Sequence, residues 1–267
     1  MGFDLPTLLE TVKKTHLAKV GQSADLCPML GPGSLHLIPL PIGEHSWAQS
    51  DTAYLKSTLS ELRFWVAENA RTLRRFLSSL KLGIDLDALE ILELNRDTQE
   101  KDLVQFLDHF RTKGPIGLCS EAGLPCIADP GNRLVFLAHQ RNMRICPYTG
   151  PSSLLLALSA SGLEGQHFTF HGYAPVKTEE LHEHFQELNR DKHRQHSHLY
   201  IEAPYRSDRF LELATKALDA DWQLCVAKNL QSTEEEIRTQ SLSQWKKQLG
   251  TLGKTPCLFI LAPQAAR

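Results

Sequence analysis

Apolar residues in the first half of the chain fall into two alternating patterns. Short, nearly continuous apolar runs occur at 35–40 (LHLIPL), 63–68 (RFWVAE), 89–94 (LEILEL), 115–119 (PIGLC) and 143–148 (MRICPY). Runs of this length bounded by turn residues predict buried strands. Between them lie longer segments with apolar residues at helical spacing: 51–62, 69–81, 97–111, 132–140 and 152–162. In the third of these, Leu103, Phe106, Leu107 and Phe110 share one face, and Gly162 marks the end of the last. Repeated strand–helix alternation predicts an α/β domain with a mostly parallel sheet.

The rhythm changes at 167–175 (HFTFHGYAP). Beyond it come helix 178–189, strand 198–204, helix 207–218, strand 222–230, strand 234–239, helix 242–249 and a last strand at 256–263. Strands now outnumber helices, so some must pair antiparallel. The chain therefore divides into an appendage over 1–33, an α/β domain over 34–165 and a second α/β domain over 166–267.

A length of 267 residues with 42% hydrophobic and 22% charged residues suits two globular domains. No apolar run is long enough to span a bilayer, so no membrane association is expected. The first twenty residues read as a short amphipathic helix without the features of an export signal. The six cysteines form no C-x-x-C pair, which with the missing signal predicts reduced thiols in a cytoplasm. With 29 basic and 31 acidic residues the net charge is −2. A nucleic-acid partner would therefore need a local basic patch rather than an overall basic surface.

Five loops at predicted strand ends carry the candidate chemistry: 39–44 (PLPIGE), 120–131 (SEAGLPCIADPG), 149–153 (TGPSS), 202–206 (EAPYR) and 227–233 (AKNLQST). Ligands of α/β sheets sit beyond the carboxyl ends of the strands. Glycine lets backbone approach a ligand closely, and proline fixes a turn. Each loop alone fits a tight strand–helix turn equally well; five together point to a shared pocket. None matches a P-loop, a dinucleotide fingerprint or a nucleophile elbow. Backbone amides, hydroxyls and few cations suit a polar ligand without a polyphosphate, such as a nucleoside with a zwitterionic amino-acid tail.

The stretches LHLIPLPIGE, SEAGLPCIADPG, GPSSLLLALSASGL, FHGYAP and YIEAPYR, in this order, resemble the tetrapyrrole-methylase-like superfamily of S-adenosylmethionine-dependent methyltransferases. Within it they are most similar to the ribosomal RNA small subunit methyltransferase I family, over about residues 35–262. The resemblance implies two α/β domains with the methyl donor in the cleft between them, a homodimer, and no metal. It implies 2′-O-methylation of a cytidine ribose in small-subunit ribosomal RNA. Matched position by position, Pro41 and Ile42 would line the donor site. Ser120, Glu121, Ala122, Gly123, Leu124, Pro125 and Ile127 would form its wall. Ser152 and Ser153, at a helix N-terminus, would offer a hydroxyl and amides. Glu202, Ala203, Ala227, Lys228 and Asn229 would close over the adenosine, with Pro256 at the edge.

The acceptor side departs from the family. Its acid–acid–Thr–Arg run is here Glu68-Asn69-Ala70-Arg71, and a His-rich stretch is replaced by ELNRDTQEKD. Glu68 and Arg71 are the first catalytic candidates, followed by Lys177, Tyr205 and Arg206; an ordinary solvated i,i+3 pair is the alternative for Glu68 and Arg71. The departures leave open another acceptor on the same fold, or a nucleoside-binding module without turnover. His182, His184, His193, His196 and His198 lack metal-site spacing and read as a solvated face, with Lys192 and Arg194 beside them as possible phosphate contacts.

Overall fold

A computed structural model describes residues 30–43, 46–49, 52–95, 97–193 and 195–264, and its strands form two separate five-stranded sheets. Most of the N-terminal appendage, and with it Cys27, lies outside the described residues, as do Glu44 and Arg194. Contacts divide the chain into two units. The first runs to His36 and takes in 52–118 and 132–147; the second comprises 37–51, 119–131 and the chain from Tyr148 onward.

In the first unit strands alternate with helices as the pattern predicts. They are β1 (Ser34–Leu37), α1 (Ala53–Glu61), β2 (Phe64–Ala67), α2 (Ala70–Ser79), β3 (Glu90–Glu93), α3 (Glu100–Phe110), β4 (Ile116–Cys119), α4 (Asn132–Gln140) and β5 (Arg144–Pro147). The sheet order is β3-β2-β4-β1-β5, with β2 and β3 parallel. Leu35, Trp65, Val66 and Ile116 at its centre are fully buried. Gly117 is required there, because a Cβ would stand 2.5 Å from the Trp65 ring. On α3 the core-facing pair is Leu103 and Leu107. Phe106 and Phe110 are only half-buried, and Phe110 stacks on Phe64 with ring centroids 4.5 Å apart. Asn69 N-caps α2, its side chain accepting from the Arg71 and Thr72 N–H groups. The amide in the Glu68–Arg71 run is thus a helix cap.

The second unit holds α5 (Ser153–Ser161), β6 (Phe168–Tyr173), α6 (Thr178–Arg190), β7 (Ser197–Glu202), α7 (Ser207–Ala217), β8 (Gln223–Lys228), β9 (Glu236–Ser241), α8 (Leu242–Trp245) and β10 (Cys257–Ala262). Helix α8 is a single turn continued by a 3-10 turn at Lys246–Gln248, shorter than the expected 242–249. The sheet order is β6-β7-β10-β8-β9; β6 and β7 run parallel, and the remaining pairs are antiparallel. Every residue of β10 is buried, because both sheet faces are covered. Leu154, Ala157 and Leu158 of α5 pack with Leu199, Cys225, Leu258 and Ile260. Phe185 of α6 and Phe210 of α7 pack with Tyr200, Val226 and Phe259, which alternate onto the other face. Two covered faces require a continuous apolar run in the central strand, and CLFILA supplies it.

The histidines correct one expectation. His184 and His198 do not lie on a solvated face. His184 Nε2 is 2.7 Å from the Tyr200 hydroxyl, and His171 Nε2 is 3.0 Å from His198 Nδ1. The His171 ring stacks on Tyr200 at 4.7 Å, and His196 and Trp222 flank His198. Burial, reinforced by the neighbouring imidazoles, pushes both His171 and His198 down to about 4. Among the described residues no group of His, Cys, Asp and Glu is arranged to hold a metal. Because these folded-state values lie below that of an unfolded histidine, the unfolded chain binds more protons between about pH 6.5 and 4. The stabilising contribution is complete above that window and is lost as pH falls through it. Buried His36, also pushed down to about 4 by burial and by Arg144, acts in the same direction in the first unit. Urea titrations across pH 7 to 4 should therefore show stability falling well before the carboxylates protonate. His171→Gln should remove about one proton from the linked uptake; a flat profile above pH 4.5 would refute this account.

Candidate functional site

A cavity of about 620 Å3 opens in the second unit, at the ends of β7 and β8 and the start of β10. The loops after β1, β4, β7 and β8 and one helix terminus build most of it. The first loop follows β1. Leu40 and Gly123 form an isolated antiparallel bridge, with Leu40 N–H donating to Gly123 O at 3.0 Å and Gly123 N–H to Leu40 O at 2.9 Å. This bridge ties the 39–43 loop to the 120–131 loop. Gly123 has φ +70°, and a Cβ there would meet Ile42 Cγ2 at 3.3 Å and Pro151 O at 3.4 Å. Cys126 and Ala128 also adopt left-handed backbone, at φ 70° and 66°. Non-glycine residues pay for that conformation, so the surrounding contacts must hold this loop in shape.

The loop after β8 repeats the device, with Asn229 at φ 48° and Gln231 at φ 59°. Gly43 abuts it: a Cβ on Gly43 would stand 2.4 Å from Gln231 O. The helix terminus is that of α5. Ser152 is its N-cap residue and buried, yet its side chain makes no capping bond. Ser152 and Ser153 line the cavity, leaving a hydroxyl and the first amides of the helix for a polar ligand.

Of the residues matched by resemblance, Ile42, Ala122, Gly123, Leu124, Ile127, Ser152, Ser153, Glu202, Ala203, Ala227, Asn229 and Pro256 line this one cavity. Pro41, Ser120, Glu121, Pro125 and Lys228 are not in the lining. Ser120 and Pro125 are buried beside it, and Lys228 pairs with Glu236 at 2.7 Å. Gly43, Asp129, Tyr173, Ile201, Leu230 and Ser232 also line it. Nothing local in PLPIGE or FHGYAP marks Gly43 or Tyr173 as a lining residue. Tyr173 is 63% exposed and Ile127 48%, so the lining includes aromatic and aliphatic surface open to solvent.

Glu202 carries the buried charge of the site. Its Oε1 accepts from Ala203 N–H at 2.8 Å and from Arg206 Nη2 at 2.5 Å, while Oε2 is buried without a partner. Arg206 is thereby committed to Glu202, its side chain only 14% exposed, and is not available as an acceptor-side cation. Lys177 pairs with Glu180 at 2.7 Å in solvent, and Tyr205 is 76% exposed. Burial and Asp129 push the Cys126 thiol up to about 11, which argues against a nucleophilic role. Glu68 and Arg71 belong to the first unit, at the N-terminus of α2, and are not in the cavity lining.

These features fit S-adenosylmethionine. The volume is in the range of sites for ligands of that size. Backbone contacts that a Cβ would break, an uncapped serine at a helix N-terminus and an orphan carboxylate oxygen suit a nucleoside with an amino-acid tail. No helix among the described residues is long and apolar enough to cross a membrane.

No protein-family model matches the chain. Among curated proteins, it is 34% identical over 149 residues to the ribosomal RNA small subunit methyltransferase I of Xylella fastidiosa, covering 56% of this chain and 52% of that one. It is 30% identical over 237 residues to that of Streptococcus pyogenes, covering 86% of this chain and 76% of that one. For the Vibrio cholerae protein of the same name the identity is 27%, over 80% of this chain and 70% of the relative. Among solved structures, the methyltransferase CobJ superposes with a TM-score of 0.59 at 15% identity, covering 88% of this chain and 96% of that one. The cobalt precorrin-4 methyltransferase CbiF gives 0.56 at 14%, covering 86% and 94%. The fold is that of the tetrapyrrole methylases.

Proposed function

The chain belongs to the ribosomal RNA small subunit methyltransferase I family, whose methyl donor is S-adenosylmethionine, and from that premise we propose that it methylates a cytidine ribose 2′-hydroxyl in small-subunit ribosomal RNA. The observation that carries the reading is the convergence of the 39–43, 120–131 and 227–233 loops with the α5 N-terminus on one cavity. The bound donor supplies an electrophilic methyl group on a sulfonium. Gly43 and Gly123 let backbone close around it; Ser152 and Ser153 hold its polar tail; the orphan Glu202 oxygen accepts one of its hydrogen-bond donors. Ile127, Leu230 and Tyr173 exclude water from its apolar surface. Pro41, Ser120, Glu121, Pro125 and Lys228 support the lining loops. On the acceptor side, Glu68 takes the proton of the weakly acidic hydroxyl and Arg71 steadies the developing charge. Alignment of acceptor and donor carries much of the rate. The enzyme works as a homodimer in the cytoplasm, where its substrate is made; segments 34–165 and 166–267 are its two domains, and 1–33 an appendage.

Incubation with radiolabelled donor and small ribosomal subunits from cells lacking the protein tests this. Label should enter RNA and survive nuclease digestion as a 2′-O-methylated nucleotide. Label in protein, or in a base rather than a ribose, would overturn the acceptor assignment.

A further inference from the structure

The solvent face of α2 carries charge that its own helix does not need. Arg71, Arg74 and Arg75 are exposed along one face at i, i+3 and i+4, and exposed Lys81 follows just beyond the helix. Between Asn69 and Gly83 there are these four basic residues and no acidic one, in a chain whose net charge is −2. None of the four side chains has an ion-pair or hydrogen-bond partner among the described residues. Several cations on or beside the other helices are paired. Glu100 pairs with Arg133, Asp108 with Arg111 and Arg141, Lys177 with Glu180, and Glu212 with Lys216.

The arrangement costs α2 stability. Arg71 sits in the first turn, where the helix dipole disfavours a cation, and Arg71 and Arg75 repel at i,i+4. The first-turn amides are already satisfied by Asn69 and by Glu93, whose Oε1 accepts from Ala70 N–H at 2.9 Å. That end of the helix is therefore not a vacant anion site, and recognition falls to the charges of the side chains. The opposite face is fixed in the core by Leu73, Phe76 and Leu77, so the arginines project from a rigid element. Cationic groups one helical turn apart, unpaired and in solvent, match a row of phosphates.

We infer that the Arg71–Arg74–Arg75–Lys81 face of α2 docks on the sugar–phosphate backbone of the RNA substrate. The inference rests on the proposed acceptor and places the docking face on the helix whose first turn follows Glu68. These contacts position the RNA and carry no base specificity.

The test is the double variant R74A/R75A assayed on small ribosomal subunits, beside R74K/R75K. Donor affinity and kcat should stay at wild-type values, and the thermal midpoint should not fall, since removing the repulsion favours the helix. KM for the subunits should rise about tenfold or more near physiological salt, and the dependence of log affinity on log salt should lose about one unit of slope per phosphate contact removed. R74K/R75K should retain most binding, since charge is what the backbone reads. Unchanged KM and salt slope in R74A/R75A, with wild-type protein still labelling RNA, would overturn this inference alone. Failure of the lysine variant to rescue would also overturn it, by pointing to a packing role. Wild-type protein that labels no RNA would remove the acceptor assignment and this inference together.

Discussion

Gly43→Ala is expected to weaken S-adenosylmethionine binding by about 10- to 100-fold in calorimetry, because an extra methyl forced against packed atoms costs about 1–3 kcal/mol. The methyl added at Gly43 would lie 2.4 Å from Gln231 O and 2.6 Å from Gln231 C. Both are backbone atoms, so no side chain can rotate away. Either the 39–43 loop or the 229–231 loop must move, and both line the cavity. The second loop has little freedom to adapt, since Asn229 and Gln231 already occupy left-handed backbone. Gly123→Ala should be milder. Its contacts of 3.3 and 3.4 Å require small shifts, and its φ of +70° adds strain of about 1–2 kcal/mol. Gly165→Ala, with nothing within 4 Å, is the control and should bind donor normally. Equal affinity for all three variants would show that the cavity is not the donor site.

Arg206→Leu should destabilise the second unit by about 3–5 kcal/mol, the usual cost of stripping the partner from a buried charge. Glu202 has no side-chain exposure, and Arg206 is the cation beside it. Its second oxygen already lacks a partner, so loss of the guanidinium leaves the carboxylate with the Ala203 N–H alone. The double change E202Q/R206L should recover much of that loss, because an uncharged amide is far less costly to bury unpaired. A double-mutant cycle from chemical denaturation measures the coupling. Additive single-site losses would mean that the pair is not coupled in solution. Since Glu202 also lines the cavity, Arg206→Leu should weaken donor binding in any fraction that stays folded.

Much of the fold is legible in the chain because it depends on local periodicity. CLFILA reads as a strand and is one, and Gly162, at φ 71°, ends α5 as its position suggests. The donor-side loops are legible as unusual turns at strand ends. What they enclose is not, because their meeting is a matter of distant contacts: Leu40 with Gly123, and Gly43 with Gln231. Gly43 attracts no notice in PIGE, because the atoms that exclude its Cβ come from almost two hundred residues later in the chain. Cys126 and Ala128 give no local sign of left-handed backbone, which sequence preference assigns to glycine or asparagine.

The histidines mark the same boundary. Read along the chain, His184 and His198 belong to a polar stretch. The parallel register of β6 and β7, with Thr169 opposite His198, brings His171 beside His198, and the packing of α6 adds His184. By itself the sequence determines the order of strands and helices, the glycine- and proline-rich turns and the basic stretch of α2, since each follows from neighbours within a few residues. The tertiary structure alone decides that Lys228 turns to Glu236, and that Gly43 and Ser152 face one cavity. These are pairings across the sheet or between loops, and local propensity carries no information about which distant atom will occupy the space beside a side chain.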